Sequence, residues 1–183
     1  MCDIIALPRK DYEGYDLIFE YDSELYYDVR IRDTRQGFAV EFVRMPFPVL
    51  RHKWMVNRMY APYGGDSEAY GILDGDKLVA ALELGPETHN RLRILNLVVD
   101  KLYRGRGYGR RLMDYAKEIA AIRGHRAIVL ETQSCNAGAI GFYLSQGFTL
   151  AGFDAFAYSN EDIDHKEVRL EMAYRLPKEG KSR

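Results

Sequence analysis

Partial two-residue alternation of apolar and polar positions marks the first third of the chain, and a helical period takes over in the second half. The stretches 15–21 (YDLIFEY), 25–32 (LYYDVRIR) and 37–45 (GFAVEFVRM) are short, aromatic and β-branched, and predict three strands. Pro46 and Pro48 are expected to end this block, with 50–60 (LRHKWMVNRMY) read as a short helix before the turn APYGGD. EAYGILD (68–74) and KLVAALEL (77–84) then read as strands joined by a hairpin at Asp74-Gly75-Asp76. The nearly continuous apolar run 91–100 (RLRILNLVVD) predicts a central strand buried on both faces.

Leu112, Met113, Ala116, Ile119 and Ala120 recur at helical spacing, and Gly124 stands where a helix C′ glycine belongs. A strand over 126–132 follows, then a helix over 137–146 capped by Asn136 and stopped by Gly147. Strands over 147–159 and 166–176 and a polar tail complete the chain, with no internal repeat, low-complexity tract or linker. The pattern predicts one α/β domain, residues 1–183, built on a mixed sheet.

Composition narrows the class. The 183 residues, 47% apolar and 29% charged, suit one domain with a full-sized core, and a net charge of -1 gives no global drive toward nucleic acid or an anionic membrane. Cys2 and Cys135 are too few for a disulfide framework, and the start lacks the basic flank and apolar core of a signal peptide. No uncharged apolar run approaches the ~20 residues that span a bilayer. A cytoplasmic protein with reduced thiols, without a membrane or nucleic-acid partner, is the expectation.

Between the strand ending near residue 100 and the helix beginning near 108 stands YRGRGYGRR, with Gly105, Gly107 and Gly109 among Arg104, Arg106, Arg110 and Arg111. Each glycine costs backbone entropy on folding, so a merely connecting loop would not usually hold three. Backbone N–H groups at a helix N-terminus, with the helix dipole behind them, form an anion site. A Walker A loop needs Lys-Ser/Thr after its last glycine, where Arg110-Arg111 stands; a dinucleotide fingerprint needs Gly or Ala where Arg110 stands. What remains is Arg104-x-x-Gly107-x-Gly109, and solvated arginines on a flexible connection are its bland alternative.

That motif resembles the (Arg/Gln)-x-x-Gly-x-(Gly/Ala) signature of the GNAT superfamily of acyl-CoA-dependent N-acetyltransferases. Asn136, Phe142-Tyr143 and Gly147-Phe148 match the superfamily's Asn-x5-Phe-Tyr-x3-Gly-Phe stretch independently. The resemblance implies a central mixed, mostly antiparallel sheet flanked by helices, with about 1–67 a variable β-rich part and about 68–176 the cofactor-binding core. It implies acetyl-CoA as co-substrate, its pyrophosphate on the N–H groups of Arg104, Gly105, Arg106, Gly107, Tyr108, Gly109 and Arg110. Main-chain groups near Leu97, Val98 and Val99 would hold pantetheine and polarise the acetyl carbonyl, and Tyr143 would protonate the departing thiolate. A core aromatic is the alternative for Tyr143. Asn136 would contact pantetheine, cap its helix, or both, and approach of the cofactor or a strand would account for Gly138 and Gly141.

No nucleophile or metal is called for. Cys135 reads as an ordinary thiol, and His52, His89, His125 and His165 lack metal-ligand spacing. Many family members carry an acid just before the end of the central strand, where this chain has Leu95-Asn96-Leu97-Val98-Val99. Glu83 and Glu131 are the nearest substitutes as general base, each with a structural or surface role as alternative. From Asp11 to Asp28, Asp11, Glu13, Asp16, Glu20, Asp22, Glu24 and Asp28 occur without Lys or Arg, and SNEDIDH (159–165) adds more acids. Such clusters focus cations or simply form a solvated face.

LETQ (130–133), the Asn136 and Phe142-Tyr143 positions, DAFAYSNED (154–162) and the Tyr-rich N-terminal block also resemble the streptothricin-acetyltransferase branch, which acetylates an antibiotic's β-lysine chain. The expected function is transfer of acetyl from acetyl-CoA to a primary amine of a small cationic molecule by direct attack in a ternary complex. A peptide or protein N-acetyltransferase and a non-catalytic acyl-CoA-binding module are the alternatives. Relatives that dimerise through edge strands make a homodimer a further expectation.

Overall fold

A computed structural model of the chain describes residues 3–177; Met1, Cys2 and the tail from residue 178 lie outside the described residues. In chain order the elements are β1 (Ile4–Ala6), α1 (Arg9–Tyr12), β2 (Asp16–Thr34), β3 (Gly37–Arg58), β4 (Glu68–Asp74), β5 (Lys77–Glu87), β6 (Arg91–Val99), α2 (Tyr108–Ile122), β7 (Ala127–Gln133), α3 (Ala137–Ser145), β8 (Thr149–Asp154), α4 (Asp162–His165) and β9 (Arg169–Arg175). They group into two units. The described parts of Met1–Glu20, Trp54–Leu130 and Ala173–Arg183 form the first, and Tyr21–Lys53 with Glu131–Met172 forms the second.

In the first unit the strand order is β1-β4-β5-β6-β7. β4 runs antiparallel to β1 and β5, and β5 antiparallel to β6, whereas β6 and β7 are parallel. A parallel pair needs a long crossover, and α2 supplies it. Its buried face is the predicted set Leu112, Met113, Ala116, Ile119 and Ala120, packed against β4, β5 and β6. α2 stops at Gly124, where φ is 67°; the Gly124 N–H reaches the Ala121 carbonyl at 3.0 Å and the His125 N–H the Ala120 carbonyl at 2.9 Å. That pair of bonds satisfies carbonyls the helix end would leave open. The hairpin also forms as predicted, with Asp74 opposite Lys77. Leu7, Leu17, Met59, Tyr60, Ala69 and Ala81 form a buried cluster beside the sheet.

Several expectations are corrected, the first being that 15–21 and 25–32 form separate strands, since both run within the single strand β2. Residues 50–58 are not helical but continue β3, and Lys53, Met55 and Asn57 are half-buried while Trp54, Val56 and Arg58 are exposed, the two-residue period of a strand. Pro46 and Pro48 do not end the ribbon, because in a two-stranded sheet a proline fits wherever its nitrogen faces away from the partner strand. β6 is central but not buried on both faces: Leu92, Ile94 and Asn96 are buried, while Arg93, Leu95 and Leu97 are half-covered.

In the second unit, β9 lies between β7 and β8. The strand predicted over 147–159 stops at Asp154, whose carboxylate accepts the Phe156 N–H at 3.0 Å and turns the chain. Residues 160–165, between the two predicted strands, contain α4, and Lys166 at φ 63° delays the last strand to Arg169.

Candidate active site

The glycine turn is held from below and open above. Asp100 accepts the Leu102 N–H at 2.9 Å and pairs with Lys77 at 2.7 Å, Tyr103 donates to Asp74 at 2.9 Å, and the Arg104 Nε donates to the Val99 carbonyl at 3.1 Å. Gly105 and Gly107 then take φ of 77° and 84°, a region that costs other residues strain. A Cβ at either would meet no atom within 4 Å, so the turn faces open space. α2 begins immediately afterwards, and Arg111 is the residue whose N–H returns to Gly107, at 3.1 Å. The N–H groups of Tyr108, Gly109 and Arg110 precede that bond and have no acceptor within the helix. With Arg104, Arg106 and Arg110 around them, these donors can hold a multiply charged anion.

Upstream, Leu97, Val98 and Val99 pair with Leu82, Ala81 and Ala80 of β5, while the ladder to β7 covers Arg91–Ile94. The second edge of 97–99 therefore lies beyond the β7 ladder. The β5–β6 register slips between Glu83 and Leu84, making Leu95 the extra residue of a bulge. Leu95 is packed against Gly64 and Gly85; a Cβ at Gly85 would lie 2.8 Å from its Cδ1.

Glu83 stands opposite Asn96, only 1% exposed, and accepts from three donors: Ser67 Oγ at 2.7 Å, Asn96 Nδ2 at 2.8 Å and the Tyr60 N–H at 3.1 Å. Asn57 Nδ2 in turn donates to Asn96 Oδ1 at 3.1 Å. Asn57 also lines a surface depression of about 560 Å3 with Asp16, Val56, Arg58, Ala61 and Tyr63. Sequence reasoning singled out Glu83 but missed Asn57, Tyr60, Ser67 and the role of Asn96. An asparagine inside the apolar run 94–99 was the one available signal.

The second unit holds the remaining candidates. Asn136 caps α3 through the Ala139 N–H at 3.0 Å, as predicted. Tyr143 is half-buried against Phe142 and Phe148, and desolvation pushes its hydroxyl up to about 12. Among the described residues none is hydrogen-bonded to that hydroxyl, and desolvation alone shifts it. A Cβ at Gly141 would meet nothing within 4 Å, and one at Gly138 only Asn136 Oδ1 at 3.9 Å, so among the described residues no strand crowds them. Glu131 is exposed, accepts the Tyr158 hydroxyl at 2.7 Å and faces Arg169 at 3.7 Å. Cys135 is buried beside the Tyr21 hydroxyl at 3.4 Å, and burial pushes its thiol up, away from the nucleophilic thiolate.

The acidic clusters are largely engaged. Glu13 pairs with Arg9, Asp16 with Arg58, Glu20 with Lys101, Asp22 with His52, and Asp28 with Arg30 and Lys166. Asp162 is buried and accepts from the Tyr158 N–H and Ser159 hydroxyl. These acids serve local structure, which weakens them as a cation funnel. Among the described residues no three His, Cys, Asp or Glu converge as a metal site, and no helix is long and apolar enough to cross a membrane.

Comparison with known proteins shows which family the chain resembles. The family described as the acetyltransferase (GNAT) family matches residues 16–148. Over 105 residues the chain is 38% identical to a streptothricin acetyltransferase of Escherichia coli, covering 57% of this chain and 60% of that relative. It is 33% identical over 103 residues to N-alpha-acetyltransferase 30 of Schizosaccharomyces pombe, covering 49% of this chain and 69% of that one. Among solved structures, a Bacillus anthracis protein assigned as a streptothricin acetyltransferase, in complex with acetyl coenzyme A, aligns with a TM-score of 0.73 at 23% identity over 97% of this chain and 98% of that one.

Proposed function

The chain belongs to the acetyltransferase (GNAT) family, and from that premise we propose that it is an N-acetyltransferase carrying acetyl from acetyl-CoA to a primary amine of a small cationic molecule of the streptothricin type. The observation that carries the reading is the turn at Gly105 and Gly107, left-handed, open, and leading directly into the uncommitted N–H groups of α2. Acetyl-CoA, when bound, supplies an acyl group activated as a thioester. The N–H groups and arginines of 104–110 bind its pyrophosphate. Main-chain groups of Leu97–Val99 orient the pantetheine arm and stabilise negative charge developing on the acetyl oxygen. Tyr143 keeps its proton at neutral pH and so can give it to the departing sulfur. Asn136, whose side-chain oxygen is committed to its cap, contributes through its amide nitrogen. Of the two carboxylates considered as base, Glu131 alone is exposed to water, so the amine's proton reaches it through water.

The similarity to a streptothricin acetyltransferase supports the small-molecule acceptor. The similarity to an N-alpha-acetyltransferase supports a second reading, a peptide amine acceptor. Release of free CoA from acetyl-CoA, measured with streptothricin, polyamines, aminoglycosides and lysine-bearing peptides, separates them. Turnover confined to a small cationic amine is expected. Turnover of peptides alone establishes the second reading, and tight acetyl-CoA binding without acetylation of any amine leaves a non-catalytic acyl-CoA-binding module.

A further inference from the structure

The chain Glu83–Asn96–Asn57 carries directional information. The Glu83 carboxyl oxygen accepts from the Asn96 amide nitrogen at 2.8 Å, which fixes that amide with its nitrogen inward. The Asn96 oxygen is thereby turned toward Asn57, whose nitrogen meets it at 3.1 Å. Asn57 keeps its Oδ1 as a side-chain acceptor, besides the second N–H of its amide nitrogen, and Asn57 lines the depression of about 560 Å3. The orientation of a half-exposed amide, otherwise free to flip, is set two residues away by a buried acid.

We infer that Asn57 is a specificity-determining residue whose Oδ1 accepts an N–H of the acceptor amine, and that Glu83 and Asn96 are positioning residues that hold it in that sense. The inference rests on the N-acetyltransferase reading above. A neutral acceptor suits the chemistry. The attacking amine must be unprotonated, and a carboxylate at that place would favour its charged form, whereas an amide oxygen orients the N–H without doing so. The charges in the same depression balance, because Asp16 and Arg58 face each other at 3.4 Å. Asn96, the middle member of the relay, immediately precedes Leu97–Val99, the segment assigned to the acetyl arm.

The test is steady-state kinetics of CoA release with streptothricin as acceptor, alongside calorimetric titration of acetyl-CoA, for the wild type, Asn57→Ala, Asn57→Gln and Glu83→Gln. Asn57→Ala is expected to raise the KM for the amine about tenfold or more with acetyl-CoA affinity unchanged, while the thermal midpoint falls because the buried Asn96 oxygen loses its donor. Asn57→Gln keeps the amide and should recover part of the loss. Glu83→Gln can donate as well as accept, so it loosens the orientation and should raise the same KM by a smaller factor. An amine KM within twofold of wild type in Asn57→Ala overturns the inference while leaving the N-acetyltransferase reading intact. If wild type does not turn over streptothricin but acetylates another amine, the same comparison is made with that amine; if it acetylates none, both readings fall. A loss of acetyl-CoA affinity in Asn57→Ala would also overturn the inference, since it would show a general structural role.

Discussion

Two polar regions of the first unit, the glycine turn at 104–110 and the Glu83 network, are built on opposite rules. In the turn, left-handed glycines present backbone donors and arginines to open space. Around Glu83, three donors converge on one carboxylate that solvent barely reaches. Uncommitted polar groups mark where a ligand is recognised, and fully committed ones mark what holds the recognising groups still. The distinction matters because a buried polar group left without its partner is costly, so saturation there is required for stability, whereas exposed donors in the turn are satisfied by water until a ligand arrives.

The sharpest probe is Tyr143, a half-buried side chain of the second unit whose hydroxyl, like the donors of the turn, is uncommitted. Tyr143→Phe should lower kcat by about 10²-fold or more while acetyl-CoA affinity stays within a few-fold, read by stopped-time CoA release and calorimetry. Because its hydroxyl is pushed up to about 12, it stays protonated through the neutral range. Any alkaline fall in the wild-type rate below about pH 11 should therefore persist unchanged in the residual rate of the mutant. Next in size, Glu83→Leu removes one acceptor and orphans three donors, and should destabilise the protein by about 3 kcal/mol in urea denaturation. A loss below about 1 kcal/mol would break the claim that the network is structural. Smaller still, Gly107→Val should weaken acetyl-CoA binding by about tenfold, because a β-branched residue at φ 84° is strained and its side chain enters the space left for phosphate. Its urea midpoint should move less than that of Glu83→Leu.

What could be read in advance follows the same division. The turn, α2 and the Asp74–Lys77 hairpin were legible because positive φ, helical period and turn chemistry are local demands that single residues reveal. The α3 cap at Asn136 belongs with them. The Glu83 network was not, since residues 57, 60, 67, 83 and 96 meet only after β3, β4, β5 and β6 have come together. The long ribbon was misjudged for a different reason: Pro46 and Pro48 argue against a strand only where both edges are paired, and the sequence alone does not say how many neighbours a strand will have.

Those two prolines also bear on how the protein survives at high concentration. β3 carries Phe38, Val49, Leu50 and Trp54 on exposed positions, and a long apolar ribbon of this kind is a template onto which another chain can add as a strand. Pro46 and Pro48, two residues apart and so on one edge, remove successive donors from the row an incoming strand would zip along. The ribbon is thus guarded against aggregation midway along its length by the same residues from which the sequence predicts its end.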